Sequence, residues 1–447
     1  METYSVKEHR LDNGLRIVLA PDHLNPVAAV CVWYGVGSRH ERPGRTGMAH
    51  LFEHLMFQGS RNIPGNGHFA LLHEAGSRPN GTTNFERTNF TETVPSHHLE
   101  LALWMEADRM GGLLDALTQE SLDNQRDVVK NERRQRYDNL PYGTAWEHLV
   151  AMAYPPGHPY HHLPIGSMAD LDAASLHDTR SFFTRHYTPD NAVLAVVGDF
   201  EPEQTLGWIR RYFGGIAGPR YTAAPPAAVL PELMGTESRS VVRADVPSGA
   251  VLHAYRMPRD GTREAEAAAL TLAILGSGQN SRLKLRLIRR DRSASSLSSG
   301  LIRLTGAPSL GWLDIKASAT TPTAELEASL DEELGRFAIA GPTGEELARA
   351  RAHLERVLLM RLESVGGRAD ELCRQATFFG HVERGGIAAT ALAQLDSVTA
   401  EEVHAFAAAR LHPSNRAVLV FEPDAVAAVP AAVSGTAPAA PAEDVHR

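Results

Sequence analysis

Two kinds of hydrophobic pattern alternate along this chain. Near-continuous apolar runs, "LRIVLAPD" at 15–22, "VAAVCVWYGVGS" at 27–38 and "GAVLHAYRMP" at 249–258, have the length and β-branched content of buried strands. Residues 97–118, 120–139, 264–278, 323–338 and 343–363 instead repeat their apolar positions at helical spacing, the mark of a helix with one buried face. Strands grouped with long helices in each half predict an α+β fold. One short apolar stretch breaks its own pattern. "MAHLFEHLMFQGS" at 48–60 sets His50, Glu53 and His54 among Met48, Leu51, Phe52, Leu55, Met56 and Phe57.

The pattern also repeats. "LDAASLHDTRSFFTRHYTPDNAVLAVVGD" (171–199) and "LDSVTAEEVHAFAAARLHPSNRAVLVFEP" (395–423) share Leu171/Leu395, Asp172/Asp396, Phe182/Phe406, Pro189/Pro413 and Asn191/Asn415, all at an offset of 224. Each segment reads as a helix, a Pro-x-Asn turn and an apolar strand. Five matches at one offset argue for a duplicated unit. "GPRYTAAPPAAVLPELMG" between the halves is rich in Pro and Ala and reads as a linker. The expected organisation is two homologous α+β domains, 1–217 and 237–427, joined by a linker at 218–236. The tail 428–447 lacks large apolar residues and is expected to be disordered.

Composition narrows the function classes. The chain has 447 residues, 43% hydrophobic and 22% charged, with a net charge of −9. The Arg-rich runs at 133–136 and 286–292 read as solvated helix faces, so no nucleic-acid partner is expected. No run of about 18 apolar residues appears, so no membrane span is expected. Two cysteines, Cys31 and Cys373, make no disulfide framework. The start "METYSVKEHRLDNG" shows no apolar leader, which gives a cytoplasmic expectation for the chain as it stands, or a periplasmic one if a leader was removed.

Positions i and i+4 share one face of a helix, so His50 and His54 can meet one ion. Imidazole nitrogens suit zinc, and a neighbouring glutamate can act on a water at the metal. A catalytic zinc site needs a third protein ligand. The segment 121–139 offers Glu132, although spacing alone does not separate it from Glu120. "GHPYHHLPIGS" (157–167) holds His158, His161 and His162, but its Pro-rich setting reads as a surface loop. "GSGQNSR" (276–282) lacks the lysine of a phosphate-binding loop.

H-x-x-E-H followed by "VVKNERRQ" resembles the inverzincin metallopeptidases of the pitrilysin/insulinase family. The likeness is strongest to its short bacterial branch, similar to the beta subunit of mitochondrial processing peptidase. The resemblance implies one zinc per chain on His50, His54 and Glu132, which lies 78 residues after His54, with Glu53 as general base on a zinc-bound water. "NGTTNFERTNF" (80–90) resembles the family's substrate-pairing edge strand, which implies peptide contacts at Asn80, Gly81, Thr82 and Thr83.

The chain departs from the family pattern in two places. Gln125 stands where many members carry a glutamate behind the ligand glutamate. In "LIRRDRSASSLSS", Ile288 and Ser295 stand where family members that complete the site carry an Arg and a Tyr that hold the substrate carbonyl. The resemblance therefore implies a zinc endopeptidase subunit acting on extended peptides, closed in a clam-shell by a homologous subunit that supplies the Arg/Tyr pair. Its alternative is a non-catalytic scaffold subunit of the same fold.

Overall fold

The computed structural model describes residues 5–218, 229–382 and 387–424. They form two mixed sheets with helices, the α+β arrangement that the hydrophobic pattern predicts. The first sheet contains β1 (Lys7–Arg10), β2 (Arg16–Pro21), β3 (Val27–Tyr34), β4 (Asn80–Thr83), β5 (Thr88–Pro95) and β6 (Ala192–Gly198), in the order β1-β2-β6-β3-β5-β4. The second contains β7 (Ser238–Ala244), β8 (Ala250–Met257), β9 (Ala294–Ile302), β10 (Ser309–Ala317) and β11 (Arg416–Pro423), in the order β7-β11-β8-β10-β9.

The two orders coincide once β1 is set aside. β2-β6-β3-β5-β4 matches β7-β11-β8-β10-β9, and the single parallel pair falls at the same place, β2 with β6 and β11 with β7. β6 and β11 begin 224 residues apart, the offset of the sequence repeat. The duplication is therefore visible in topology as well as in sequence.

Contacts divide the chain differently from the linear boundaries at 217 and 237. One compact unit gathers Met1–Gln135, Pro156–Ala228 and Glu355–Leu395; the other gathers Arg136–Pro155, Val229–Leu354 and Asp396–Arg447. The halves exchange a helix. In the first unit, helix Val365–Phe379 lays Ala369, Leu372, Cys373 and Ala376 on Val18, Ala29, Cys31, Trp33 and Ala195 of the first sheet. In the second, helix Ala145–Ala153 packs on β8 and β11, with Ala153 accepting hydrogen bonds from the Arg256 guanidinium at 2.9 and 2.7 Å. Seven of the eight β3 residues are buried, so both faces of that strand need a cover. An apolar pattern states that need without saying which part of the chain meets it. Of the expected linker, 219–228 lie outside the described residues, and 229–237 carry no helix or strand. The tail 428–447 also lies outside them. Among the described residues no helix is long and apolar enough to cross a membrane.

Candidate metal centre and substrate edge

The motif helix spans Met48–Leu55 and buries Met48, Ala49, Leu51, Phe52 and Leu55. Phe52 stacks on Phe182 with ring centroids 5.6 Å apart. Those contacts set the helix's rotation and leave His50, Glu53 and His54 on the side that stays partly open. A second helix, Gln119–Arg133, is capped by Thr118, whose hydroxyl accepts from the Ser121 amide. Leu122, Gln125 and Val129 are its buried stripe, and Glu132 continues that stripe by three residues. Glu120 lies exposed in the first turn, so the structure separates the two candidates that spacing left open.

Glu132 Oε2 stands 3.6 Å from His50 Nε2 and 3.3 Å from His54 Nε2. Ligand atoms of the three residues all lie within 4.8 Å of one another, and no other such cluster occurs among the described residues. Ligands about 2.1 Å from a tetrahedral zinc stand roughly 3.4 Å apart, so this donor set fits zinc with small side-chain adjustment. The three side chains are 12%, 22% and 18% exposed, which leaves room for a further ligand. Gln125, at 6% exposure, is buried on the same helix stripe, seven residues before Glu132.

Glu53 is outside this donor set and lies against β4. A Cβ at Gly81 would come 3.0 Å from Glu53 Cγ and 3.1 Å from the Phe90 ring, so a glycine lets the strand pass close to the glutamate. β4 is the sheet's edge and pairs with β5 alone, Gly81 opposite Phe90 and Thr83 opposite Thr88. The Asn84 amide donates to the Arg87 carbonyl at 3.0 Å, which makes 84 and 87 a hydrogen-bonded pair. Antiparallel pairs alternate, so Asn80 and Thr82 turn their backbone groups toward β5, while Gly81 and Thr83 turn theirs to the open edge. The four residues expected at the substrate thus divide into two facing outward and two facing the sheet.

Behind the edge sits a polar chain that spacing did not reveal. Thr82 Oγ1 donates to Asn89 Oδ1 at 2.6 Å, and Asn89 Nδ2 donates to Asp370 Oδ1 at 2.7 Å. Trp33 Nε1 donates to the same oxygen at 2.8 Å. Buried Arg87 donates to the Thr82 carbonyl at 2.8 Å; its burial lowers its proton affinity, opposed by Asp370 and Glu53. Asp370 comes from the exchanged helix, more than 280 residues beyond Asn89, so no local motif could have pointed to it.

The other candidates fall elsewhere. His158, His161 and His162 form no metal cluster; His162 Nε2 lies 2.8 Å from Glu41. Ile288 sits in a π-helical turn, Lys284–Arg290, and Ser295 is the second residue of β9, its hydroxyl donating to the Ala317 carbonyl at 3.1 Å. Neither side chain can supply a cation or a phenol.

The model of the insulinase family, peptidase family M16, matches residues 16–158, and that of the M16 inactive domain matches residues 173–354. The chain belongs to the insulinase (M16) family. M16 relatives include the zinc protease PqqE of Helicobacter pylori, 31% identical over 296 residues, an alignment that spans 66% of either chain. Subunit 1 of the bovine (Bos taurus) mitochondrial cytochrome b-c1 complex is 29% identical over 209 residues, 47% of this chain and 42% of that one. Among solved structures, a protease from Helicobacter pylori matches at a TM-score of 0.86 and 25% identity, over 94% of this chain and all of that one. The periplasmic protease PqqL of Escherichia coli matches at 0.76 and 17%, over 95% of this chain but 48% of the PqqL chain, a likeness of fold. The M16 assignment agrees with the resemblance drawn from H-x-x-E-H and "VVKNERRQ".

Proposed function

We propose that this M16 chain is the metal-bearing subunit of a zinc endopeptidase that cleaves extended peptides or unfolded segments. The observation that carries this reading is the convergence of His50, His54 and Glu132 beside a glutamate that is outside that donor set and lies against the edge strand β4. When bound, zinc supplies Lewis acidity, polarising a carbonyl and making a water more acidic. His50 and His54 give neutral nitrogens and Glu132 a carboxylate, the mixed set of hydrolytic zinc sites. Glu53 accepts the water's proton as the scissile carbonyl is attacked, then passes it to the leaving amine. The outward amides and carbonyls of Gly81 and Thr83 hold the peptide backbone as an added strand, with little demand on its sequence.

Negative charge develops on the carbonyl oxygen during attack, and positioned donors usually share it. Ile288 and Ser295 supply none. We therefore assign the missing Arg and Tyr to a second, homologous subunit that closes over the site like the other half of a clam-shell. That this chain matches about half of the PqqL chain supports such a two-part assembly. Likeness to cytochrome b-c1 subunit 1 favours the scaffold reading, which gives no reason to keep Glu53 beside three ligands.

A peptide-cleavage assay decides, run on this chain alone and mixed with a homologous subunit bearing the Arg/Tyr pair. The chain alone should cleave weakly and the mixture strongly, with the gain lost when the partner's Arg or Tyr is mutated. No cleavage in any mixture would favour the scaffold. Strong turnover by the isolated chain would show that the site completes itself.

A further inference from the structure

The segment from His158 to Asp170 has no task in the mechanism above, yet it contacts the start of the motif helix, the helix of Glu132 and the turn that follows β4. Gly47 caps the start of the motif helix in the left-handed region at φ 88°, and offers no capping side chain. Its first amides are met from a distance: Gly47 N and Ala49 N donate to Glu41 Oε2 and Oε1 at 2.9 and 2.8 Å. The Glu41 side chain is fully buried, and His162 Nε2 approaches its Oε2 to 2.8 Å. Next along the segment, a Cβ at Gly166 would come 2.4 Å from the Gly47 backbone, and the Gly166 carbonyl accepts from Arg133 Nη1 at 2.6 Å. Arg133 is the neighbour of Glu132. Asp170 Oδ2 then accepts from the Thr46 amide and hydroxyl at 2.9 and 2.6 Å.

The same segment also reaches the β4–β5 turn. Tyr160 OH donates to Glu86 Oε1 at 2.5 Å and accepts from Arg39 Nη1 at 2.9 Å; Arg39 Nη1 donates to Glu86 at 3.0 Å as well. Glu86 lies in that turn with its side chain 4% exposed. Hydrogen bonds to buried carboxylates are among the stronger ones a protein makes, and removing one partner leaves the other uncompensated.

We propose that residues 158–170 are the positioning segment of the metal centre: His162 through Glu41 sets the motif helix, Gly166 sets the helix of Glu132, and Tyr160 through Glu86 sets the substrate edge. The proposal rests on the metallopeptidase reading. It gives the His-rich loop a part in orienting ligands rather than holding a metal. Because the links leave the segment at different points, they separate in their effects. Breaking the Glu41 link loosens the ligands; breaking the Tyr160 link loosens the edge.

Zinc affinity is measured on the full chain by competition with a chromophoric chelator, with thermal melting alongside. Glu41→Gln should weaken zinc about tenfold, the scale of a lost partner behind a metal ligand. Its amide nitrogen faces one of the two helix amides it once accepted from. His162→Ala should weaken zinc in the same direction, and His162→Gln, which can still donate to Glu41, should restore it. Tyr160→Phe should leave zinc affinity unchanged and raise KM for a peptide about tenfold in the assembled pair, the worth of one hydrogen bond. Unaltered zinc affinity in both Glu41→Gln and His162→Ala overturns the proposal, as does a Tyr160→Phe that loses zinc as they do. If Glu41→Gln does not fold, the two His162 variants decide. A natural chain that takes up no zinc would instead sink the metallopeptidase reading itself.

Discussion

Two helices hold the same place in the two sheets. Met48–Leu55 lies between β3 and β4 in the chain and packs on β4; Arg263–Gly276 lies between β8 and β9 and packs on β9. From Ala267 to Gly276 the second is Ala, Leu and Ile apart from Thr271 and Gly276, and every residue of that stretch is buried. The first keeps two histidines and a glutamate on a side its neighbours leave partly open. Both helices satisfy the same need, an apolar face against a sheet. What differs is the second face: in the first half it meets Glu132 and the strand edge, and in the second it is closed by further packing, including helix Ala400–Arg410. The duplicated fold supplies the scaffold twice, and the candidate metal site falls in the copy whose helix keeps a partly open polar side.

The sharpest way to press this comparison is to neutralise a carboxylate in each helix. Glu53→Gln should lower the turnover of the assembled pair by about 10²–10⁴ while keeping its zinc, because the proposed mechanism uses Glu53 as a base and it lies outside the donor set. Glu264→Gln, exposed at the start of the second-half helix, should change neither. Equal losses from both would erase the distinction between the halves.

A smaller effect tests the strand edge. Thr83→Pro removes an outward N–H and is tolerated on an edge strand, so it should raise KM about tenfold and leave melting nearly unchanged. Thr82→Pro removes an N–H that faces β5, so it should lower the melting temperature instead. Steady-state kinetics and melting curves on both variants separate the two. A Thr83→Pro variant with unaltered kinetics would move the peptide off β4.

The sequence carried the local parts of this account and missed the distant ones. His50, Glu53 and His54 were legible because helical spacing brings them together within one turn and a half. Glu132 needed the resemblance, since helical spacing left Glu120 equally open. The edge was read by resemblance as one strand over 80–90, but the structure ends it at Thr83, turns at 84–87 and starts β5 at Thr88, because the Asn84 amide closes on the Arg87 carbonyl; that pairing also decides which amides of β4 face outward. The exchange of helices 145–153 and 365–379 was not legible, because apolar periodicity is the same whichever sheet a helix covers. Asp370 behind the edge and Glu41 at the helix start act through contacts across the chain. A buried carboxylate nine residues before His50 was the one available signal, and burial is not written in a single sequence.

In the proposed function the first half holds one zinc on His50, His54 and Glu132. Metal analysis of the purified chain and of His50→Ala, His54→Ala and Glu132→Ala tests it most directly. About one zinc is expected in the natural chain and in Glu53→Gln, and loss of most of it in each of the other three variants. Full zinc retention in a chain lacking both His50 and His54 would contradict it.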